Sequence, residues 1–185
     1  MSASGTPDAV AAPAWARGVA AGLREAGSRD VVYVPDNPLS HVLASLDADT
    51  RTILATREEE AFGIAAGLAL GGARPTVLLQ SSGVGNSINA LASLLLPYQF
   101  PVLMIVSMRG GPGEWNAAQV PMGAALPRIL ESLGISHAVA DDGRRVDDLV
   151  RHMGALAFGT RTVAACLIPF AIARGLRDGD PERAS

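Results

Sequence analysis

The chain has 185 residues, 49% of them hydrophobic and 18% charged, enough for one domain with a substantial core. A formal net charge of −3 gives no electrostatic case for nucleic acid or an anionic membrane, and no apolar run reaches the ~20 residues that span a bilayer. All fifteen basic residues are arginine, so a Schiff-base lysine and a Walker A loop are excluded, and with them pyridoxal enzymes, lysine aldolases and P-loop NTPases.

Residues 1–12 lack the basic start and long apolar core of a signal peptide and read as a flexible tail, with the cytoplasm as the expected location. Helices are predicted near 14–26, 38–47, 59–71, 86–96, 122–133 and 145–158. Between them lie β-branched runs that predict strands at 31–34 (VVYV), 52–54 (TIL), 76–80 (TVLLQ), 101–107 (PVLMIVS), 137–140 (HAVA) and 162–169 (TVAACLIP). The strands are mostly apolar without alternation, as when both faces are covered. Strand and helix alternate at the spacing of right-handed βαβ units. The expected fold is α/β: a single doubly wound domain, residues 13–171, on a six-stranded parallel sheet. Residues 172–185 read as a second flexible tail.

Such sheets bind ligands at the carboxyl ends of their strands. Those ends read PDNPLS (35–40), ATREE (55–59), SSGVGN (81–86) and MRGGPGEWNAAQ (108–119). SSGVGN, between a strand and a helix, has the context of a phosphate cradle, without the third glycine of the dinucleotide fingerprint. Histidines 41, 137 and 152 are scattered at no metal-ligand spacing, so no metal is assigned to this chain and structural roles are expected of them. DDGRRVDD (141–148) reads as a turn and a solvated helix start. Cys166, inside an apolar run, reads as a buried core thiol.

TREEEAFGIAAGLALGG (56–72) is less ordinary. Acidic residues favour a helix N-terminus, which accounts for one or two of the three glutamates. Gly63 and Gly67 each cost roughly 1 kcal/mol relative to alanine inside a helix. A helix that slim suits close approach by a partner or a flat ring, and Gly63, Ala66 and Gly67 are expected near such a contact. Glu59 and Glu60 are rotated by about 100° and 200° from Glu58 around the helix, so the three cannot share one pocket. Glu58 is nearest the strand end.

REEEAFGIAAG resembles the glutamate motif of the pyrimidine-binding domain of thiamine diphosphate-dependent enzymes, in which a glutamate precedes a glycine by nine positions, as Glu58 precedes Gly67. With YVPDN, LLQSSGVGNSINALASL, PVLMIVSMRGGPGEWNAAQ and LESLGI, the pattern over about 14–170 resembles the alpha chain of sulfopyruvate decarboxylase and the matching half of phosphonopyruvate decarboxylase. The resemblance implies that Glu58 hydrogen-bonds a cofactor pyrimidine nitrogen and so makes the exocyclic nitrogen a base. It places Ser82 and Gly83 beside Glu58 in cofactor binding, and Gln80 and Ser81 toward the substrate. Asp36 is implied in proton transfer, Asn37 in substrate contact, and Arg109 in holding a carboxylate, sulfonate or phosphonate, against an inter-helix ion pair. EWNAAQ replaces the histidines usual in phosphonopyruvate enzymes, and Leu68 stands where many relatives have tyrosine. Both leave the substrate open.

In these enzymes the diphosphate and Mg2+ are held by Gly-Asp-Gly followed by an asparagine. The sequence has no Gly-Asp-Gly and no asparagine after Asn116. The resemblance therefore implies a beta subunit bearing that motif, in a hetero-oligomer with at least two copies of each chain. The rival readings are a carboligase subunit with the same cofactor, a non-catalytic α/β ligand-binding module, and a flavin- or nucleotide-binding module.

Overall fold

The computed structural model describes residues 12–174. The two expected tails lie largely outside them. Residues 172–174, expected to open the second tail, are described: Ile172 and Ala173 are buried in a last short helix.

The chain runs through α1 (Ala14–Glu25), β1 (Asp30–Tyr33), α2 (Asn37–Leu43), β2 (Arg51–Leu54), α3 (Glu58–Leu70) and β3 (Pro75–Gln80). Then come α4 (Ser81–Asn86), α5 (Ile88–Ala90) with a π-helical turn (Leu91–Leu95), and β4 (Val102–Ser107). A 3₁₀ turn (Ala117–Gln119), α6 (Val120–Ser132), β5 (Ser136–Val139), α7 (Val146–Thr160), β6 (Val163–Ile168) and α8 (Phe170–Ala173) complete it. The strands form one six-stranded, wholly parallel sheet in the order β2-β1-β3-β4-β6-β5.

The apolar strand runs are explained by two separate cores. On one face Val31, Leu78, Leu103 and Cys166 pack against α1, α2 and α7 through Val19, Leu39 and Val150. On the other, Val32, Val77, Leu79 and Met104 pack against α3 and α6 through Phe62, Ala65 and Leu126. Alternate residues of each strand feed opposite layers, so both faces are predominantly apolar. Phe62 is fully buried, and its truncation to alanine costs about 3–5 kcal/mol.

Two elements depart from expectation. The helix predicted near 86–96 begins at Ser81 and is broken at Ser87, with an i→i+5 bond from Leu96 N to Leu91 O. SSGVGN is thus helix and not loop. Its glycines are there for space: a Cβ on Gly85 would stand 2.7 Å from Met122 Sδ, and one on Gly83 would run into Glu58. The helix predicted to 47 stops at Leu43, which puts His41 in its last turn. In α3 the exposed face is bare: none of the described residues lies within 4 Å of a Cβ built on Gly63 or Gly67. Ala66 is instead buried in the chain's own core. No helix of the described residues is long and apolar enough to cross a membrane.

Candidate active site

From β1 the chain moves outward to β2, then returns past β1 to β3 on its other side. The carboxyl ends of β1 and β3 therefore flank a switch point, where such sheets open a crevice. A cleft of about 650 Å³ lies there, lined by Asp36, Asn37, Gln80, Arg109, Trp115 and Phe170 among others.

Asp36, just after β1, is the centre of that cleft's polar network. Gln80 Nε2, at the end of β3, donates to Asp36 Oδ1 at 3.1 Å. Ser107 Oγ, at the end of β4, donates to Oδ2 at 2.8 Å. Three adjacent strand ends thus fix both oxygens of one carboxylate. Ser107 was not singled out in the sequence; the available signal was that it is the polar residue closing an otherwise apolar strand. Asn37 opens α2 at the cleft rim, its carbonyl accepting from Ser40 Oγ at 2.6 Å.

Arg109 also reaches the cleft, and its ion pair lies within its own loop and not between helices. Its Nε and Nη2 donate to Glu114 Oε2 and Oε1, both at 2.7 Å. Those bonds come first among the causes that hold the Glu114 carboxyl down at about 2; burial opposes them, and N–H groups of Asn116 and Gly110 assist. The same pairing raises Arg109 above the usual arginine range. Glu114, invisible as a site residue in EWNAAQ, is the buried member, its side chain only 1% exposed. Ser81 turns away from the cleft: it is buried and its Oγ accepts from Arg109 N at 3.2 Å. Ser82 Oγ donates to Gln119 Oε1 at 2.6 Å, tying α4 to the turn before α6.

The three glutamates separate cleanly. Glu60 turns back over the helix start and accepts from Thr56 Oγ1 and N, both at 2.7 Å, and these bonds hold its carboxyl below the ordinary value. Glu59 lies 3.9 Å from Arg57 Nε at the surface. Glu58, half-buried, lies against Gly83, whose missing Cβ would stand 2.5 Å from Oε1. No hydrogen bond or ion pair among the described residues engages it. The predicted residues thus form two groups, Asp36, Asn37, Gln80 and Arg109 in the cleft and Glu58 with Gly83 beside α3. Residues 80–83, the last residue of β3 and the first turn of α4, join them.

Among the described residues no three His, Cys, Asp or Glu side chains come together as a metal site. His137 Nδ1 lies 3.3 Å from Ile135 O. In DDGRRVDD, Asp142 Oδ1 accepts from Arg144 N at 2.9 Å just ahead of α7, a turn as expected. Cys166 is fully buried, and burial pushes its thiol up to about 12.

The chain is 49% identical over 119 residues to sulfopyruvate decarboxylase subunit alpha of Methanothermobacter thermautotrophicus, covering 63% of this chain and 72% of that one. It is 40% identical over 101 residues to phosphonopyruvate decarboxylase of Streptomyces viridochromogenes, covering 54% of this chain and 25% of that longer one. The fold matches that of the thiamine diphosphate-dependent 4-hydroxybenzoylformate decarboxylase of Rhodococcus jostii RHA1 with a TM-score of 0.64 at 17% identity, over 88% of this chain and 32% of that one. Residues 14–117 match the family of the thiamine pyrophosphate enzyme N-terminal TPP binding domain, and the chain belongs to that family.

Proposed function

We propose that this chain is the alpha subunit of a two-component, thiamine diphosphate-dependent decarboxylase acting on a 3-sulfo- or 3-phosphono-2-oxo acid. The observation that carries the reading is Glu58: a half-buried carboxylate at a strand end, engaged by none of the described residues, while both neighbouring glutamates are occupied. The names of the relatives at 49% and 40% identity support the substrate class.

The pyrimidine end of thiamine diphosphate fits these residues. A flat ring needs a carboxylate at its edge and backbone clear of side chains beside it. Glu58 supplies the first; Gly83 leaves the space in which that carboxylate lies. When bound, the cofactor supplies the carbon nucleophile for the 2-oxo carbon and takes up the electron pair left as CO2 departs. Glu58 would share a proton with a pyrimidine nitrogen, acid–base work that contributes roughly 10²–10⁴ in rate. Ser82, anchored by Gln119, would fix the turn beside it. Asp36, held by Gln80 and Ser107, is oriented to exchange a proton at the product carbon, with Asn37 at the rim.

The diphosphate and Mg2+ are assigned to a beta subunit bearing Gly-Asp-Gly, with at least two copies of each chain in the assembly. The bare outward face of α3 supports close approach by another chain.

The test is reconstitution with a Gly-Asp-Gly partner, thiamine diphosphate and Mg2+, following CO2 release from 3-sulfopyruvate and 3-phosphonopyruvate. Turnover is expected only from the mixture. Turnover by this chain alone overturns the two-chain reading. A stable cofactor-bound complex that decarboxylates neither acid overturns the substrate assignment, and acyloin formation from added aldehyde would replace it with carboligation.

A further inference from the structure

We infer that Glu114 is a positioning residue: it fixes Arg109 so that the open edge of the guanidinium grips the anionic group the substrate keeps, its sulfonate or phosphonate, and not the carboxylate it loses. The inference rests on the proposed substrate class and deepens it.

Arg109 is held on every side but one. Its Nε and Nη2 are engaged by Glu114. Its guanidinium carbon lies 5.2 Å from the centre of the Phe170 ring. Its main-chain N–H is bound to Ser81 Oγ, and its carbonyl packs where a Cβ on Gly123 would collide with it. Glu114 is itself saturated, accepting also from Gly110 N at 3.2 Å and Asn116 N at 3.0 Å. What remains is Nη1, which has no acceptor among the described residues, on a side chain that lines the cleft. The N–H groups of Nη1, held in a fixed plane, are the donors left for an oxyanion in the cleft.

The choice between the two anionic groups follows from the reaction. In decarboxylation the carboxylate charge disperses as CO2 forms. An arginine clamped on that group would stabilise the ground state more than the transition state and slow the step. The retained sulfonate or phosphonate keeps its charge throughout, so binding it costs nothing in the barrier and lowers KM.

The first measurement uses the full chain alone. The Arg109 Nε–H, bonded to a buried carboxylate, exchanges slowly enough for ¹⁵N NMR. Its resonance is expected to shift on titration with methanesulfonate or methylphosphonate. No shift with either anion overturns the inference without any variant having to fold. In the assembled enzyme, Glu114→Gln and Arg109→Lys are expected to raise KM for the sulfonated or phosphonated acid on the order of tenfold, with a much smaller change for pyruvate. Equal rises for tailed and untailed acids also overturn it. An assembly that turns over no 2-oxo acid defeats the proposed function, while the titration still decides the role of Arg109.

Discussion

The carboxylate of Glu58 occupies the space that a side chain at position 83 would need. A Cβ on Gly83 would stand 2.5 Å from Oε1 and 2.7 Å from Cδ of Glu58. The glycine of α4 and the first residue of α3 are therefore one feature, assembled from two strand ends.

Gly83→Ala is expected to keep the fold, because the group in its way is a flexible, half-buried side chain and not backbone. The methyl group would push the carboxylate aside and lower turnover of the reconstituted enzyme on the order of 10², as for a displaced acid–base group. Gly159→Ala, where nothing lies within 4 Å, is the matched control. Circular dichroism and turnover of both variants check it; a fully active Gly83→Ala enzyme would mean the contact has no part in catalysis.

Glu58→Gln keeps the size and hydrogen-bonding capacity but not the shared proton. A loss of about 10²–10⁴ in turnover is expected. Glu59→Gln removes only a surface pair at 3.9 Å and should leave turnover near wild type. Glu60→Gln weakens the bonds to Thr56 that close the helix start, so its effect belongs in thermal stability and not in rate. Loss of activity in Glu60→Gln with retention in Glu58→Gln would assign the role to the wrong glutamate.

Most of the architecture was legible because its causes are local. Apolar runs such as PVLMIVS and TVAACLIP could only be strands covered on both faces, and their order along the chain implied the parallel sheet. That the three glutamates would part was legible too, since helix geometry turns them to different sides; the choice of Glu58 among them came from the resemblance. SSGVGN was not, because its glycines answer to side chains on α3 and α6 rather than to a turn. Ser107 and Glu114 were hidden for a similar reason. Each acquires its meaning from a partner, Ser107 from Asp36, 71 residues away, and Glu114 from Arg109 across a folded loop.

The Arg109–Glu114 pair sets a pH dependence of stability with a definite sign. The Glu114 carboxyl is depressed from an ordinary 4.5 to about 2 in the folded chain. Its contribution is therefore fully present above about 4.5 and is lost as pH falls through about 2. Glu114→Gln, which leaves Arg109 half-buried without its counter-ion, should be destabilised most at neutral pH, with the gap to wild type closing below pH 4.5. Urea unfolding of both proteins across that range measures it. A gap that stays constant into the acid range would show that the pair is not ionised as drawn.

On the proposed two-subunit reading, the outward face of α3 opposes stability to assembly. Gly63 and Gly67 are exposed in mid-helix with nothing within 4 Å, so in the lone chain they are simply two weak helix residues. Replacing both with alanine should raise the stability of the isolated chain by about 1–2 kcal/mol, the usual gain for glycine to alanine at unstrained helical sites. Gly63→Leu with Gly67→Leu meets no obstacle inside the chain either, and should fold. If another subunit packs on this face, however, those two leucines occupy the space its backbone needs, and close helix contact is the reason to keep glycine at a cost in stability. The expected result is a well-folded double-leucine chain that no longer sediments with a Gly-Asp-Gly partner, beside a double-alanine chain that is more stable alone and weaker in assembly. Assembly of the double-leucine variant with undiminished affinity would remove α3 from the interface and leave its two glycines without an explanation.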